Sequence, residues 1–290
     1  MSEPETWNLK PGTRKRRSQR SLPTKSGGRG GTCRSLPPKS GGRGGRALAA
    51  CLDASAVMDA VGLPPDPWQQ DLLGTEARQL LLLCSRQAGK STVTSALALG
   101  HALRSPGSLV LMLAPSWRQS QELFRKLAGF YNRLGRPVPA ESETGQHLEL
   151  QNGSRVISLP GQEETIRGFS GVSLLIVDEA ARVPDDLYFA VRPMLAVSDG
   201  RIIGLSTPYG KRGWFYEEWA GGGDAWEHIQ VPASRCPRIK ESFLKRERDS
   251  MSPRWFAQEY ECEFTDRLDQ VFASEFIEKL LDDTIEPIFI

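Results

Sequence analysis

Four runs of apolar residues punctuate the chain at strand length: Gln79 to Cys84, Leu109 to Ala114, Leu174 to Val177 and Arg201 to Leu205. Each is nearly continuous rather than alternating, as strands covered on both faces of a parallel sheet are. Between them, apolar and polar positions repeat at helical spacing over Thr92 to Leu103 and Gln119 to Leu134. Ahead of the first strand, Leu48, Cys51, Leu52, Ala56 and Ala60 predict a helix over Ala47 to Val61, ended by Gly62 and the prolines Pro64, Pro65 and Pro67. This β-α-β-α order predicts an α/β fold, a mostly parallel sheet with helices on both faces. One insert differs: in HLELQNGSRVISL, Asn152-Gly153 separates two short alternating runs and predicts a hairpin. From Pro232 to Phe264 the sequence turns charged and helical. Trp255, Phe256 and Tyr260 are spaced to share an apolar face there, and a small helical subdomain leaning on the sheet is expected.

No apolar run approaches the roughly 18 residues that a membrane helix needs, so no membrane partner is expected. The five cysteines are odd in number and scattered, without a CxxC pair, which argues against a disulfide framework and a zinc site. No apolar segment near the N-terminus reads as a secretory signal, so a reducing, cytoplasmic setting is expected. Charge is divided unevenly. Residues 1–46 hold 12 Lys/Arg against Glu3 and Glu5, a balance of +10, leaving 25 basic and 33 acidic residues elsewhere. Within that part, SLPTKSGGRGGTCR is followed by SLPPKSGGRGG at a period of 14 residues. With almost nothing apolar to bury, 1–46 reads as a disordered Gly-rich basic tail, either a grip on nucleic-acid phosphates or a solvated extension. The expected organisation is that tail, an α/β core over 47–231, a helical subdomain over 232–265 and a connecting segment over 266–290.

The chemistry starts where the first strand ends. CSRQAGKST lies between that strand and a helix, the context a phosphate-binding loop requires. Backbone N–H groups of Ser85, Arg86, Gln87, Ala88, Gly89, Lys90, Ser91 and Thr92 would face the phosphates of ATP. Gly89 allows close approach, Lys90 can reach the β- and γ-phosphates, and the Ser91 hydroxyl can ligate Mg²⁺. GxxxxGK[ST] is met except at its first position, where Cys84 replaces Gly.

A second element strengthens the reading. LLIVDEA places Asp178 and Glu179 at the carboxyl end of a buried strand, the edge where open α/β sheets bind ligands. Asp178 can hold Mg²⁺, and Glu179 can orient the water that attacks the γ-phosphate. Lys90 and Asp178 stand 88 positions apart with the strand Leu109 to Ala114 between them. An intervening strand plus an adjacent catalytic Glu is the pattern of RecA-like P-loop ATPases that turn hydrolysis into movement. The strand RIIGLS ends in Ser206-Thr207-Pro208, whose hydroxyls either sense the γ-phosphate or close an ordinary turn.

PWQQDLL, SRQAGKST, LAPSWRQSQELF, IRGFSGVSLLIVDEAA and GLSTPYGKRGWFYE together resemble, in kind and in order, the motor domains of large terminase subunits of tailed bacteriophages. The resemblance covers roughly Pro67 to Phe272. It implies that Arg86 is an arginine finger, that Gln69 or Gln70 reads the adenine edge with Trp68 packing nearby, and that Ser206 and Thr207 are a coupling motif. Arg167 and Gly168 also match functional positions of the family. The implied activity is Mg-dependent ATP hydrolysis driving double-stranded DNA into a procapsid. The implied partners are a portal protein, a small terminase subunit and further copies in a ring. Family members usually continue into a metal-dependent nuclease, and no nuclease activity is expected from these 290 residues; Asp282 and Asp283 read as solvated charges. Alternatives are a truncated, non-catalytic prophage remnant and a helicase-like ATPase. DNA would meet backbone-contacting cations, for which Arg118, Lys211 and Arg212 are candidates, whereas Arg125 and Lys126 read better as a solvated helix face. Trp214, Trp219 and Trp226 are expected to pack the subdomain rather than stack on bases.

Overall fold

The computed structural model describes residues 53–161, 166 and 168–266. The basic tail, Arg167, Asp282 and Asp283, and the start of the helix expected from Ala47 lie outside the described residues. Eight strands form one sheet: β1 (Gln79–Cys84), β2 (Leu109–Ala114), β3 (Ala140–Glu143), β4 (His147–Leu150), β5 (Arg155–Pro160), β6 (Leu174–Asp178), β7 (Arg201–Ser206) and β8 (Glu227–Val231). Their spatial order is β3-β4-β5-β2-β6-β7-β1-β8. The six strands from β5 to β8 in that order run parallel, and only the β3–β4 and β4–β5 pairings are antiparallel. The β2, β6 and β7 interiors are buried almost without interruption, which is why their sequences show no polar alternation.

The helices are α1 (Ala54–Ala60), α2 (Pro67–Gly74), α3 (Lys90–Arg104), α4 (Trp117–Arg133), α5 (Asp185–Val191), α6 (Gly213–Gly221), α7 (Glu241–Ser250) and α8 (Pro253–Phe256), the last continuing into a π turn over Ala257–Glu261. One core forms between the sheet and α1 to α4, where Leu80, Leu82, Val93, Leu99, Val110, Phe124 and Ile176 meet. A second core lies on the opposite face, where Leu81, Leu111, Leu175, Tyr188, Trp214 and Phe215 meet. Alternate residues of each strand therefore feed alternate cores, and both faces are covered as expected.

Three expectations need correction. The hairpin forms around Asn152-Gly153, pairing Leu148 with Val156, but β5 also pairs along its whole length with β2. The segment is thus a full member of the main sheet rather than an insert. The strand lying in space between β1 and β6 is β7, not β2, because β2 sits on the far side of β6. The tryptophans Trp214 and Trp226 pack the second core, Trp214 stacking on Tyr188 at 4.1 Å, and not the α7–α8 helices, whereas Trp219 does meet the expected subdomain, at Phe264, 6.5 Å between ring centres. On those helices Phe256 is buried and touches Tyr260, while Trp255 faces solvent. The close fit at Trp214 shows at Gly204 of β7, where a Cβ would come 3.0 Å from the indole and 3.1 Å from Leu81.

Candidate functional site

The segment after β1 turns back at the carboxyl edge of the sheet. Cys84 is the last, buried residue of β1, so the usual first glycine is not needed: the chain is still extended there. Burial pushes the Cys84 thiol well above its ordinary value, against the nearby Lys90 ammonium, so it stays neutral. The loop is then pinned from two sides. The Ser85 N–H donates to the Val231 carbonyl at 3.0 Å, and the Arg86 N–H donates to the Glu259 carbonyl at 3.0 Å. Gln87 and Gly89 adopt positive φ, 62° and 99°, which turns the chain into α3. At Gly89 glycine has a second cause, since a Cβ would lie 2.8 Å from Arg238 Nη2 and 3.1 Å from Gln69 Nε2.

Lys90 and Ser91 open α3 and face the end of β6. The Ser91 hydroxyl donates to Asp178 Oδ2 at 3.5 Å. The Glu179 N–H donates to Asp178 Oδ1 at 3.0 Å, and Glu179 itself sits in the left-handed region with φ 51°. Lys90 Nζ lies 3.9 Å from Glu179 Oε1 and donates to the Ser85 carbonyl at 3.4 Å. From the end of β7, the Thr207 hydroxyl donates to Glu179 Oε2 at 3.5 Å, and the Ser206 hydroxyl accepts from the Ala181 N–H at 3.2 Å. Glu179 is therefore held between the phosphate loop and the end of β7. Burial, then the negative charge of Glu179, push the Asp178 carboxyl up to about 6, with Lys90 and Lys126 opposing. A hard-oxygen pair such as Ser91 and Asp178 fits Mg²⁺, which is bound through one or two carboxylates and substrate phosphates rather than by a full protein cage.

A cleft of about 870 Å³ opens beside this arrangement, lined by Arg86 to Thr92, Glu179 and Thr207 together with Leu63, Gln119, Lys126, Arg182 and Arg238. Of the other residues singled out in the sequence, Trp68 is buried in the first core. Gln69 is fully buried; its Oε1 accepts from the Asp66 N–H at 2.9 Å, and its Nε2 has no hydrogen-bond partner. Gln70 is exposed and donates to the Pro65 carbonyl at 3.2 Å. Ser85 turns its hydroxyl toward Cys236, at 4.0 Å. Arg86 pairs with the buried carboxylate of Glu259 in the π turn, so the phosphate loop is tied to the C-terminal helices by side chain and backbone at once.

Four site residues carry no signal of their role in the sequence. Glu259 and Arg238 come from segments whose pattern suggests subdomain surface. Arg238 donates to the Ala88 carbonyl at 3.1 Å and pairs with Asp66 at 2.7 Å, joining the loop to α2. Arg182 follows the acidic pair and lies over the Tyr209 ring at 4.0 Å. Lys126 is exposed on its helix, as expected of a solvated charge, and it also lines the cleft. Arg125 beside it is solvated as well, pairing with Glu122 at the surface. Lys211 pairs with Asp266 at 3.7 Å, and Arg212 lies 5.7 Å from the Tyr209 ring.

The family model for the terminase large subunit, T4likevirus-type, N-terminal, matches residues 81–279. This chain belongs to that family. The terminase large subunit of Thermus virus P23-45 is 26% identical over 253 residues, covering 74% of this chain and 52% of that protein. That of Escherichia phage T5 is 27% identical over 233 residues, with 76% and 52% covered. The chain thus spans about half the length of the curated terminases it matches. In three dimensions it is similar to the large terminase ATPase domain of Thermus phage P74-26, with a TM-score of 0.63 at 23% identity over 72% of this chain and 97% of that one. A large terminase from a thermophilic bacteriophage, solved in complex with ADP, gives 0.59 at 12% identity, over 69% and 54%. At these identities the structural likeness shows the shared terminase ATPase fold.

Proposed function

We propose that this chain is the ATP-hydrolysing motor domain of a viral DNA-packaging terminase, coupling hydrolysis to translocation of double-stranded DNA into a procapsid. The observation that carries the proposal is the placement of Glu179 between Lys90 and Thr207, beside the Ser91–Asp178 pair, at the edge of one cleft. Membership of the terminase family supports it, as do neighbours of the same fold bound to ADP and ATP-gamma-S.

In this reading the loop N–H groups and Lys90 bind the phosphates, and Glu179 orients and polarises the attacking water. Ser91 and Asp178 would hold Mg²⁺, which supplies positive charge against the phosphate oxygens. Thr207, hydrogen-bonded to Glu179, carries the state of the site into the segment after β7. Arg86 serves the transferring phosphoryl only by exchanging Glu259 for phosphate, and that exchange loosens the π turn from the loop. Nucleotide state would then set how firmly the C-terminal helices are held. The cofactors are ATP and Mg²⁺. The working form is a ring of copies on a portal protein, supplied with DNA by a small terminase subunit in the host bacterial cytoplasm. No helix among the described residues is long and apolar enough to cross a membrane.

Steady-state ATP hydrolysis with Mg²⁺, with and without linear double-stranded DNA, tests this. Glu179→Gln is expected to lower turnover about 10²- to 10⁴-fold while ADP still binds, as for loss of a positioned general base. Turnover equal to that of the Gln variant, even at concentrations that assemble the ring, would remove the motor reading.

A further inference from the structure

Arg182 is an arginine without an ion pair among the described residues, and it lines the same cleft as Glu179 and Thr207. It closes the short turn that follows the acidic pair, its N–H donating to the Glu179 carbonyl at 2.8 Å, so its backbone position is tied to the catalytic carboxylate. Its guanidinium lies 4.0 Å from the centre of the Tyr209 ring, and Arg212 approaches the same ring at 5.7 Å. Tyr209 stands two residues after Thr207 in the segment that leaves β7.

The relative strengths decide what such an arrangement does. A cation over an aromatic ring at an exposed site is a weak contact, and a second cation beside the ring weakens it further. An arginine donating to phosphate oxygens makes short, charge-assisted and often bidentate hydrogen bonds. A terminal phosphate delivered next to Glu179 therefore outcompetes the ring for Arg182. Lys90 is already engaged by Glu179, Arg86 by Glu259 and Arg238 by Asp66, so of the arginines lining the cleft Arg182 is the one with no carboxylate to give up, and of its free cations it is the one tied through its backbone to Glu179.

We infer that Arg182 is a γ-phosphate-reading residue in this chain's own nucleotide site: it rests on Tyr209 when the terminal phosphate is absent and moves onto that phosphate when a nucleoside triphosphate binds. The inference rests on the nucleotide reading of the cleft. It adds a second link between that site and the segment after β7, because the transfer of Arg182 frees Tyr209 and leaves Arg212 as the ring's remaining cation. No covalent bond is made or broken in the step.

The test compares ADP with ATP-gamma-S, using the full 290-residue chain in the presence of Mg²⁺ and calorimetry or a fluorescent-nucleotide competition. The wild type is expected to prefer the triphosphate. Arg182→Ala is expected to lose about ten- to hundredfold in ATP-gamma-S affinity, the worth of a charge-assisted hydrogen-bonding partner, and to change ADP affinity by less than about twofold. Unchanged ADP affinity also shows that the variant is folded. Arg182→Lys should recover part of the preference, since charge is kept and the planar fork is lost. Tyr209→Leu should keep the preference, since it removes only the resting place. Equal losses for both nucleotides, or no loss for either, would overturn the role of Arg182 while leaving the nucleotide site standing. Failure of the wild type to bind ADP would instead remove the nucleotide reading, and Arg182's role with it.

Discussion

At the scale of single residues, the site carries a cost that substitution can expose. Asp178 is buried beside Glu179, and its carboxyl is pushed up to about 6 from an ordinary value near 3.8. A carboxyl raised in the folded state binds its proton more tightly folded than unfolded. The stability that this proton confers is whole below about pH 4 and is lost as pH rises toward 6. Asp178→Asn should therefore stabilise the ligand-free protein at pH 7.5, by on the order of 2–3 kcal/mol. The gain should vanish near pH 4 in thermal melts, and the same variant should lose Mg²⁺-supported hydrolysis. A melting temperature no higher than wild type at pH 7.5 would contradict this account. Much of the site is legible at this scale: Gly89, Lys90, Ser91, Asp178 and Glu179 follow apolar strands directly, so neighbours in sequence are neighbours in the cleft. Arg182, Arg238 and Glu259 are not legible, because their importance comes from what they meet across the fold. No local pattern separates them from the other surface charges around them.

Elements show the same division. Strands buried on both faces, β1, β2, β6 and β7, announce themselves as continuous apolar runs. The strands β3 and β8 give no such signal because AESE and EHIQV lie at the sheet's margins, where solvent allows polar side chains. With β8 hidden, so is the tie between its end and the phosphate loop, and the segment beyond it that brings Arg238 into the cleft. That segment, the loop and α2 meet through one guanidinium, bonded to Ala88 and Asp66 and close to Gly89. Arg238→Ala should reduce ADP affinity about three- to tenfold through loss of that charge-assisted contact. A double-mutant cycle with Asp66→Asn should show coupling between the two, since they share one interaction. Additive effects in the cycle, measured by the same binding titration, would show that the two residues act separately.

At the scale of the whole molecule, one mostly parallel sheet carries the candidate nucleotide site at its carboxyl edge, and two cores cover its faces. Two of the links to that edge pass through the site itself: the C-terminal helices through Arg86 and Glu259, and the segment after β7 through Thr207 and Arg182. The sheet's lateral margins have a different consequence. Among the described residues it ends at β3, which carries Glu141 and Glu143 on exposed positions and a register shift after Ala140, and at β8, which exposes Glu227 and His228. Short, charged and irregular edges resist strand-to-strand pairing between molecules. In the proposed ring, copies must touch repeatedly without fusing into a continuous ribbon. Replacing Glu141 and Glu143 together by Thr should leave the nucleotide site intact but raise light scattering at concentrations where the wild type stays clear; equal clarity would mean that protection lies elsewhere. A rise in scattering would make the acidic margin of β3 a safeguard against fibre growth, written in the residues that made the strand hardest to see.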